Sequence, residues 1–258
     1  MLTFEQIKKY YSAELLMKSP KAVLVEYLQY ELLDSIFQQT GSEYLSFIGG
    51  TAIRIVYNSS RFSEDIDFDN FGLTFEDFEI LLKRAVANME DKGFDLEFRL
   101  IEKGAYHCFI KFPQILSANG LPQQPGEKIL VRVDAVRKEK LFEPKQHILD
   151  SFAVYRRILV NAPDIILSQK IIAILERKRA KGRDFYDVSF LLGLGDPNFE
   201  YLEKMKGIKR SNLLSALLKR IDELDMPLLV KDVLPFLQKP SDQERILSFR
   251  EYVKQRLK

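Results

Sequence analysis

The sequence predicts an α+β fold, in which a mixed β-sheet with flanking helices is followed by a helical C-terminal region. Strand patterns are grouped between residues 45 and 136, and only helical patterns remain after about residue 150. Strands grouped first and helices grouped afterwards are typical of an α+β protein, whereas regular alternation indicates a parallel α/β sheet. We therefore expect one domain over residues 1–150, with helices at its N-terminus, and a helical domain over residues 151–258.

The elements of the first domain follow from hydrophobic periodicity and from the residues that interrupt it. Leucine and isoleucine recur at every fourth position over residues 21–38, which predicts an amphipathic helix. Thr74-x-x-Asp77 resembles a capping box at the start of a second helix, which Gly93 ends. The other expected elements are a strand over 45–48, a glycine turn at 49–50, a short helix from 51, and strands over 65–69, 94–101, 105–112 and 129–136.

The second domain is predicted to contain helices alone. Pro163 suits the first turn of a helix that runs to about residue 180, and Gly182 interrupts it. Further helices are expected over residues 183–192, 213–224 and 241–257.

The composition is that of a globular chain. Hydrophobic residues make up 46% of the 258 residues and charged residues 29%, which are ordinary values. No apolar run approaches the ~20 residues that cross a bilayer, and the first ten residues carry no export signal. Cys108 is the only cysteine, which excludes an intrachain disulfide and a cysteine zinc cluster. We expect a cytoplasmic protein that contacts no membrane.

The net charge of +2 hides an asymmetry along the chain. Residues 1–150 carry 18 Lys and Arg against 23 Asp and Glu, whereas residues 151–258 carry 21 against 14. Residues 176–183 alone hold five cations. A basic region can approach nucleic acid or a triphosphate, and a solvated helical surface explains the same asymmetry equally well.

Two carboxylates in one strand are the main sign of chemistry. Successive strand residues point to opposite faces, so Asp65 and Asp67 lie side by side while Ile66 and Phe68 can face the core. Like charges this close repel each other unless a cation lies between them, and Mg2+ is commonly held by one or two carboxylates together with substrate phosphates. The glycine turn ahead of them offers backbone N–H groups to an anion at a helix N-terminus. The pattern indicates nucleotide transfer with Mg2+ (or Mn2+) and a nucleoside triphosphate (NTP).

Two strings of residues resemble motifs of known enzymes. The first motif of the polymerase-β-like nucleotidyltransferase superfamily is similar to Gly49, Gly50 and Thr51 followed by Arg61, Ser63, Asp65 and Asp67. The sequence Gly-Gly-Thr-Ala, followed by Arg-x-Ser-Glu-Asp-Ile-Asp-Phe, resembles that of the AbiEii/AbiGii toxin family within that superfamily. A later segment of the same family is similar to Lys170 followed by Arg183, Asp184 and Asp187. The resemblance implies a nucleotidyltransferase-type sheet domain.

The resemblance implies a third carboxylate on a neighbouring strand. Asp134 is the one acidic residue in the otherwise apolar strand 129–136. With Asp65 and Asp67 it would complete a metal site, or it would accept a proton from the attacking hydroxyl. The alternative is an ion pair with Arg132, two residues away on the same face. We expect Asp65, Asp67 and Asp134 to be catalytic residues and metal ligands.

The remaining motif residues are candidates for NTP binding: Gly49, Gly50, Thr51, Arg61, Ser63 and Lys170. Thr51 could instead cap the helix that it begins, and Arg61 could equally form a structural salt bridge. Lys170 lies among isoleucines, where a lysine usually extends to the surface, but the resemblance makes it a catalytic residue that neutralises the leaving pyrophosphate. Asp184 would orient it, so that the helical domain contributes to the active-site cleft.

The remaining ionisable candidates carry little signal. His107 and His147 are isolated and show no spacing typical of metal ligands or of a catalytic triad. Cys108 lies in a β-rich run and is expected to be a core residue rather than a nucleophile.

The resemblance implies a Mg2+-dependent nucleotidyltransferase that is the toxin of a type IV-like toxin–antitoxin or phage-defence pair. Some relatives attach nucleotides to the acceptor end of tRNA, so the expected substrates are an NTP and an RNA such as the 3′ end of tRNA, and the expected partner is an antitoxin. Transfer to a protein or small-molecule hydroxyl stays open, as does a non-catalytic nucleotide-binding or antitoxin-like module, because one fold hosts many acceptors.

Overall fold

The chain forms two compact units. The computed structural model describes residues 1–257. The first unit comprises residues 1–52 and 63–160, and the second comprises residues 53–62 and the chain from Asn161 onward. The boundary predicted at residue 150 lies ten residues before the observed one at residue 160. The sequence also did not assign the short segment 53–62 to the second unit.

The first unit contains a seven-stranded mixed sheet. Its strands are β1 (Leu45–Ile48), β2 (Ile66–Asn70), β3 (Glu97–Glu102), β4 (Tyr106–Phe112), β5 (Ile129–Arg137), β6 (Lys145–Leu149) and β7 (Arg156–Val160). The strand order is β3-β4-β5-β2-β1-β7-β6. Strand β2 is antiparallel to β1 and parallel to β5, and β1 is parallel to β7. The predicted α+β class with a mixed sheet is confirmed.

Helices precede, separate and follow the strands along the chain, and they make up most of the second unit. They are α1 (Phe4–Ile7), α2 (Ala13–Lys18), α3 (Pro20–Phe37), α4 (Gly49–Ile55), α5 (Phe75–Asp91), α6 (Ile115–Ala118), α7 (Pro163–Glu176), α8 (Gly182–Leu192), α9 (Phe199–Lys206), α10 (Arg210–Asp222), α11 (Met226–Val233), α12 (Glu244–Leu247) and α13 (Phe249–Arg256). Proline stands at the first position of α3 and of α7, where its missing N–H costs nothing. The predicted capping box is present, because Thr74 and Asp77 each bind the other's backbone N–H.

Three expectations about the later part of the chain are wrong. Strand β7 lies beyond residue 150, where only helices were expected. The helix expected over residues 241–257 is divided into a 3-10 turn, α12 and α13, with Ser248 between the two helices. The helix expected to reach residue 180 ends at Glu176. Helices α9 and α11 were not predicted.

The core of the sheet fixes the faces of β2. Ile66 and Phe68 are buried, as predicted, and the Phe68 ring lies 5.9 Å from that of Phe47 on β1. Asp67, between them, is only partly buried and faces the other way. The hydrophobic residues of β2 therefore direct Asp67 away from the core. Within residues 1–257, no helix combines the length and the apolarity needed to span a bilayer.

Candidate active site

Two of the predicted carboxylates lie opposite each other on neighbouring strands. Asp67 of β2 is paired in register with Asp134 of β5. Because the strands are adjacent and parallel, side chains at paired positions extend from the same face of the sheet. Asp65 immediately precedes β2, two residues before Asp67. The first unit therefore brings the three carboxylates to one region of the sheet.

Arg132 links two of these carboxylates. Its Nη2 donates a hydrogen bond to Oδ2 of Asp65 at 2.9 Å. Its Nε lies 2.9 Å from Oδ2 of Asp134, but this buried nitrogen makes no hydrogen bond, so the second contact is an ion pair alone. The ion pair between Arg132 and Asp134, one of the two alternatives for this aspartate, is thus present. The catalytic role of Asp134 stays a prediction.

His107 is a site residue that the sequence did not indicate. It lies on β4 in register with Asp134 of β5, and its Nδ1 is 2.8 Å from Oδ1 of that aspartate. An ionised carboxylate can only accept a hydrogen bond, so the imidazole carries a hydrogen on Nδ1 when it contacts this form. Both oxygens of Asp134 therefore have a partner. The sequence did hold one signal for this position. Strand residues alternate between the two faces of a sheet, and His107 lies between Tyr106 and Cys108, which are buried.

The neighbouring cysteine is part of the core, as expected. Cys108 is fully buried and unbonded. Burial, reinforced by the charge of Asp134, raises the pKa of this thiol to about 12. A thiol with such a pKa is protonated at neutral pH and is a poor nucleophile.

The glycine–threonine string positions both carboxylates of the first motif. Gly49 has φ +79°, and a Cβ atom at this position would lie 2.3 Å from Oδ2 of Asp67. Glycine is thus required here because the main chain of residue 49 lies close to the carboxylate of Asp67. Gly50 is buried inside α4, and the buried hydroxyl of Thr51 donates a hydrogen bond to the main-chain carbonyl of Asp65. The proposed contacts of Gly49, Gly50 and Thr51 with a nucleotide stay predictions.

Two further residues of this segment differ in environment. Ser63 lies before β2 rather than on it, and its carbonyl accepts a hydrogen bond of 2.9 Å from Nε2 of Gln29. Its contact with a nucleotide also stays a prediction. Asp69 is buried inside β2. It is paired in register with Ser46 and Val136, so the strand continues past it.

The second unit contains a buried cluster of charged residues. Both oxygens of Asp187 accept hydrogen bonds of 2.6 Å from the guanidinium of Arg61. The ammonium of Lys170 lies 2.8 Å from Oδ2 of Asp187 and 3.1 Å from Oδ1 of Asp184. Arg177 forms a further ion pair with Asp184. Helices α7 and α8 therefore share one network of carboxylates and cations.

Mutual attraction keeps this cluster charged despite burial. Burial alone would lower the pKa values of Arg61 and Lys170, but the nearby carboxylates of Asp187 and Asp184 together outweigh it and hold both pKa values above their ordinary range. Burial would likewise raise the pKa of Asp187, and the two cations lower it instead. At neutral pH all three groups are thus ionised.

The contacts in this cluster show which of the alternatives considered for Arg61 and Lys170 are present in the structure. Arg61 is 1% exposed, and its bidentate contact with Asp187 is the structural salt bridge considered for it. Lys170 does not extend to the surface, because its side chain is 15% exposed and its ammonium is held by two carboxylates. Its role towards a triphosphate, and that of Arg61, stay predictions.

Several solved structures share this fold. A candidate nucleotidyltransferase from H. pylori has a TM-score of 0.60 and 18% identity, over 91% of this chain and 94% of that protein. MenT4, a nucleotidyltransferase toxin from Mycobacterium tuberculosis, has a TM-score of 0.60 and 16% identity, over 98% of this chain and 90% of that one. No curated protein matches the chain in sequence. These likenesses show that the chain has the fold of nucleotidyltransferases.

A sequence profile then identifies the family. The profile described as "Nucleotidyl transferase AbiEii toxin, Type IV TA system" matches residues 31–253. The chain belongs to this AbiEii toxin family, so the resemblance drawn from the two motifs is confirmed. Membership implies an NTP substrate, typically a divalent metal ion, and an antitoxin partner.

The carboxylates suit a metal ion in kind but not in arrangement. Carboxylate oxygens are the protein ligands that Mg2+ prefers. Among residues 1–257, however, no group of three or more His, Cys, Asp and Glu side chains is placed to hold a metal ion. Arg132 contacts Asp65 and Asp134, two of the three predicted ligands. The arrangement seen here therefore does not fit a metal centre formed by all three carboxylates.

Proposed function

We propose that this protein is the toxin of a type IV toxin–antitoxin or phage-defence pair, and that it transfers a nucleoside monophosphate from an NTP to RNA. The proposed acceptor is the 3′ end of a tRNA, the proposed reaction depends on Mg2+, and the proposed setting is the cytoplasm. The observation that carries the proposal is the pairing of Asp67 with Asp134 in register, next to Asp65, in a chain of the AbiEii family.

The contacts of Asp134 support a role in which a fixed orientation matters. His107 lies 2.8 Å from Oδ1 of Asp134, which orients this carboxylate on the face that it shares with Asp67. Transfer to a hydroxyl requires the reacting groups to be held in position, and orientation that is fixed before the reaction is a large part of catalysis. We infer that His107 positions Asp134 and does not itself react.

The basic segment of the second unit supports a polyanionic acceptor. Residues 177–181 form no helix or strand, and Lys178 and Arg179 are exposed. Exposed cations in an irregular segment can follow a phosphate backbone, whose contacts dominate affinity for nucleic acid. Arg177, in contrast, is engaged by Asp184. An RNA acceptor therefore agrees better with this segment than a small hydroxyl compound does.

Labelling of cellular acceptors tests the proposal. The purified protein is incubated with Mg2+, total RNA and each α-labelled NTP in turn, and the products are separated by size and by sensitivity to ribonuclease. We expect label in RNA of tRNA length, and its loss in the Asp67→Asn variant. Asp95→Asn, at an exposed position, is the matched control and should transfer label as the unchanged protein does.

Each other outcome identifies a different function. Label in protein or in a small molecule would replace RNA as the acceptor. Transfer that persists in Asp67→Asn would remove the proposed site. Absence of any label, with every NTP and with Mn2+ as well as Mg2+, would favour a non-catalytic nucleotide-binding module.

A further inference from the structure

Arg132 lies where a cation between the carboxylates would lie. Repulsion between nearby carboxylates is relieved by a cation that contacts both. Here the guanidinium contacts Asp65 through Nη2 and Asp134 through Nε, each at 2.9 Å. The chain therefore supplies its own counter-ion to the two carboxylates.

The contacts of this guanidinium are of a kind that another cation can replace. The Arg132 side chain is 38% exposed, and that of Asp65 is 30% exposed, so their ion pair is screened by water. Ion pairs this exposed contribute little to stability. The buried Nε of Arg132 donates no hydrogen bond, which is unfavourable for a buried donor. Arg132 is thus held less firmly than a structural arginine such as Arg61, which is 1% exposed and bidentate.

The two arginines have different surroundings. Arg61 faces Asp187 in the second unit, where burial and paired hydrogen bonds fix it. Arg132 belongs to β5, and its long side chain can reorient towards solvent without breaking the strand. A divalent cation attracts each carboxylate more strongly than a single guanidinium charge does at equal distance.

We propose that Arg132 is the resident counter-ion of this site, and that a divalent cation reaches Asp65 and Asp134 by displacing its guanidinium. The inference rests on the proposed function for the use of the site, but the competition itself concerns cation binding alone. It accounts for the poor fit of a metal to the arrangement seen here. It also makes Arg132 a residue that sets the metal affinity of the site.

Binding of Mn2+ to the protein without nucleotide tests this competition. Mn2+ affinity is measured by calorimetry and by the loss of the free-ion paramagnetic resonance signal. Arg132→Gln removes the charge and should bind Mn2+ about 10-fold more tightly, a modest factor because the contacts that it removes are partly exposed ion pairs. Arg137→Gln makes the same charge change at the exposed end of the same strand, and should stay within about 2-fold of the unchanged protein.

Unchanged or weaker Mn2+ binding by a folded Arg132→Gln protein would overturn the inference, since the arginine would then support the carboxylates instead of competing for them. If that variant does not fold, Arg132→Met keeps the apolar stem, and the same 10-fold gain is required of it. Tighter Mn2+ binding without nucleotide transfer by the unchanged protein would overturn the proposed function alone. Transfer without any gain in Mn2+ affinity would overturn this inference alone.

Discussion

Substitution of Gly49 by alanine tests how the first motif places Asp67. A Cβ atom at Gly49 would lie 2.3 Å from Oδ2 of Asp67 and 3.0 Å from its Cβ and Cγ. Contacts of a Cβ below 3.0 Å essentially do not occur, so the carboxylate oxygen must move by at least 0.7 Å. The Cβ and Cγ of Asp67 are also close, so rotation of the carboxylate alone gives little relief.

Gly93 provides a control that separates this contact from backbone strain. It has φ +88°, close to the +79° of Gly49, but a Cβ atom there would meet nothing within 4 Å. Both variants should therefore lose about 1–2 kcal/mol from the left-handed backbone conformation. Gly49→Ala should lose about 1–3 kcal/mol more, the usual cost of overpacking. A displacement approaching 1 Å should also lower nucleotide transfer by roughly 10²-fold.

Urea unfolding of both variants, with transfer rates measured on the same preparations, checks this prediction. The two effects should separate, because Gly93→Ala should lose stability while its transfer rate stays near that of the unchanged protein. Equal losses of unfolding free energy in the two variants would refute the reasoning. Asp67 would then be free to move away from an added methyl group, and Gly49 would be required for its backbone conformation alone.

Three further predictions concern the charged neighbours of the site. His107→Leu should lower the turnover number about 10-fold at unchanged KM, whereas His107→Asn, which keeps a donor towards Asp134, should restore most of it; equal loss in both would limit His107 to packing. Asp187→Asn should lower the free energy of unfolding by about 3–5 kcal/mol at pH 7, because Arg61 and Lys170 stay buried and charged. Folding lowers the pKa of Asp187, so this loss of unfolding free energy should be complete above the unfolded pKa of about 3.9 and should vanish as the pH falls through the folded pKa. Urea titrations at several pH values check this, and a loss that persists in acid would contradict it. Lys170→Ala should lower the turnover number by roughly 10²-fold if the lysine stabilises the leaving pyrophosphate, and full transfer by a folded variant would make this residue part of the scaffold.

Local patterns were sufficient to predict much of the sheet domain. The capping box of Thr74 and Asp77 predicted the start of α5 because both of its bonds join residues three apart. Alternation of Ile66 and Phe68 with Asp67 predicted which face of β2 is buried, because side-chain direction in a strand depends on the residue's position alone. The string from Gly49 to Asp67 predicted the family for the same reason, since its spacing is itself a property of the sequence.

Contacts between distant residues could not be predicted in this way. The register that pairs His107 with Asp134 depends on how the chain returns after residues 113–127, and no local pattern specifies it. The partner of Arg61 lies 126 residues further along the chain, so the sequence left its salt bridge and its phosphate contact equally open. Strand β7 was missed because its five residues begin with two arginines, and its pairing with β1 and β6 is not visible locally.

The short segment 53–62 has a consequence for how the protein is made. This segment leaves the ribosome early but belongs to the second unit, where the N–H of Phe62 bonds the carbonyl of Phe236 at 2.8 Å and the carbonyl of Ser60 accepts from Gln238. These partners are synthesised more than 170 residues later. Domains usually fold in order as they emerge, but the second unit must wait for nearly the whole chain. A translation product that stops before residue 236 therefore lacks this part of the structure.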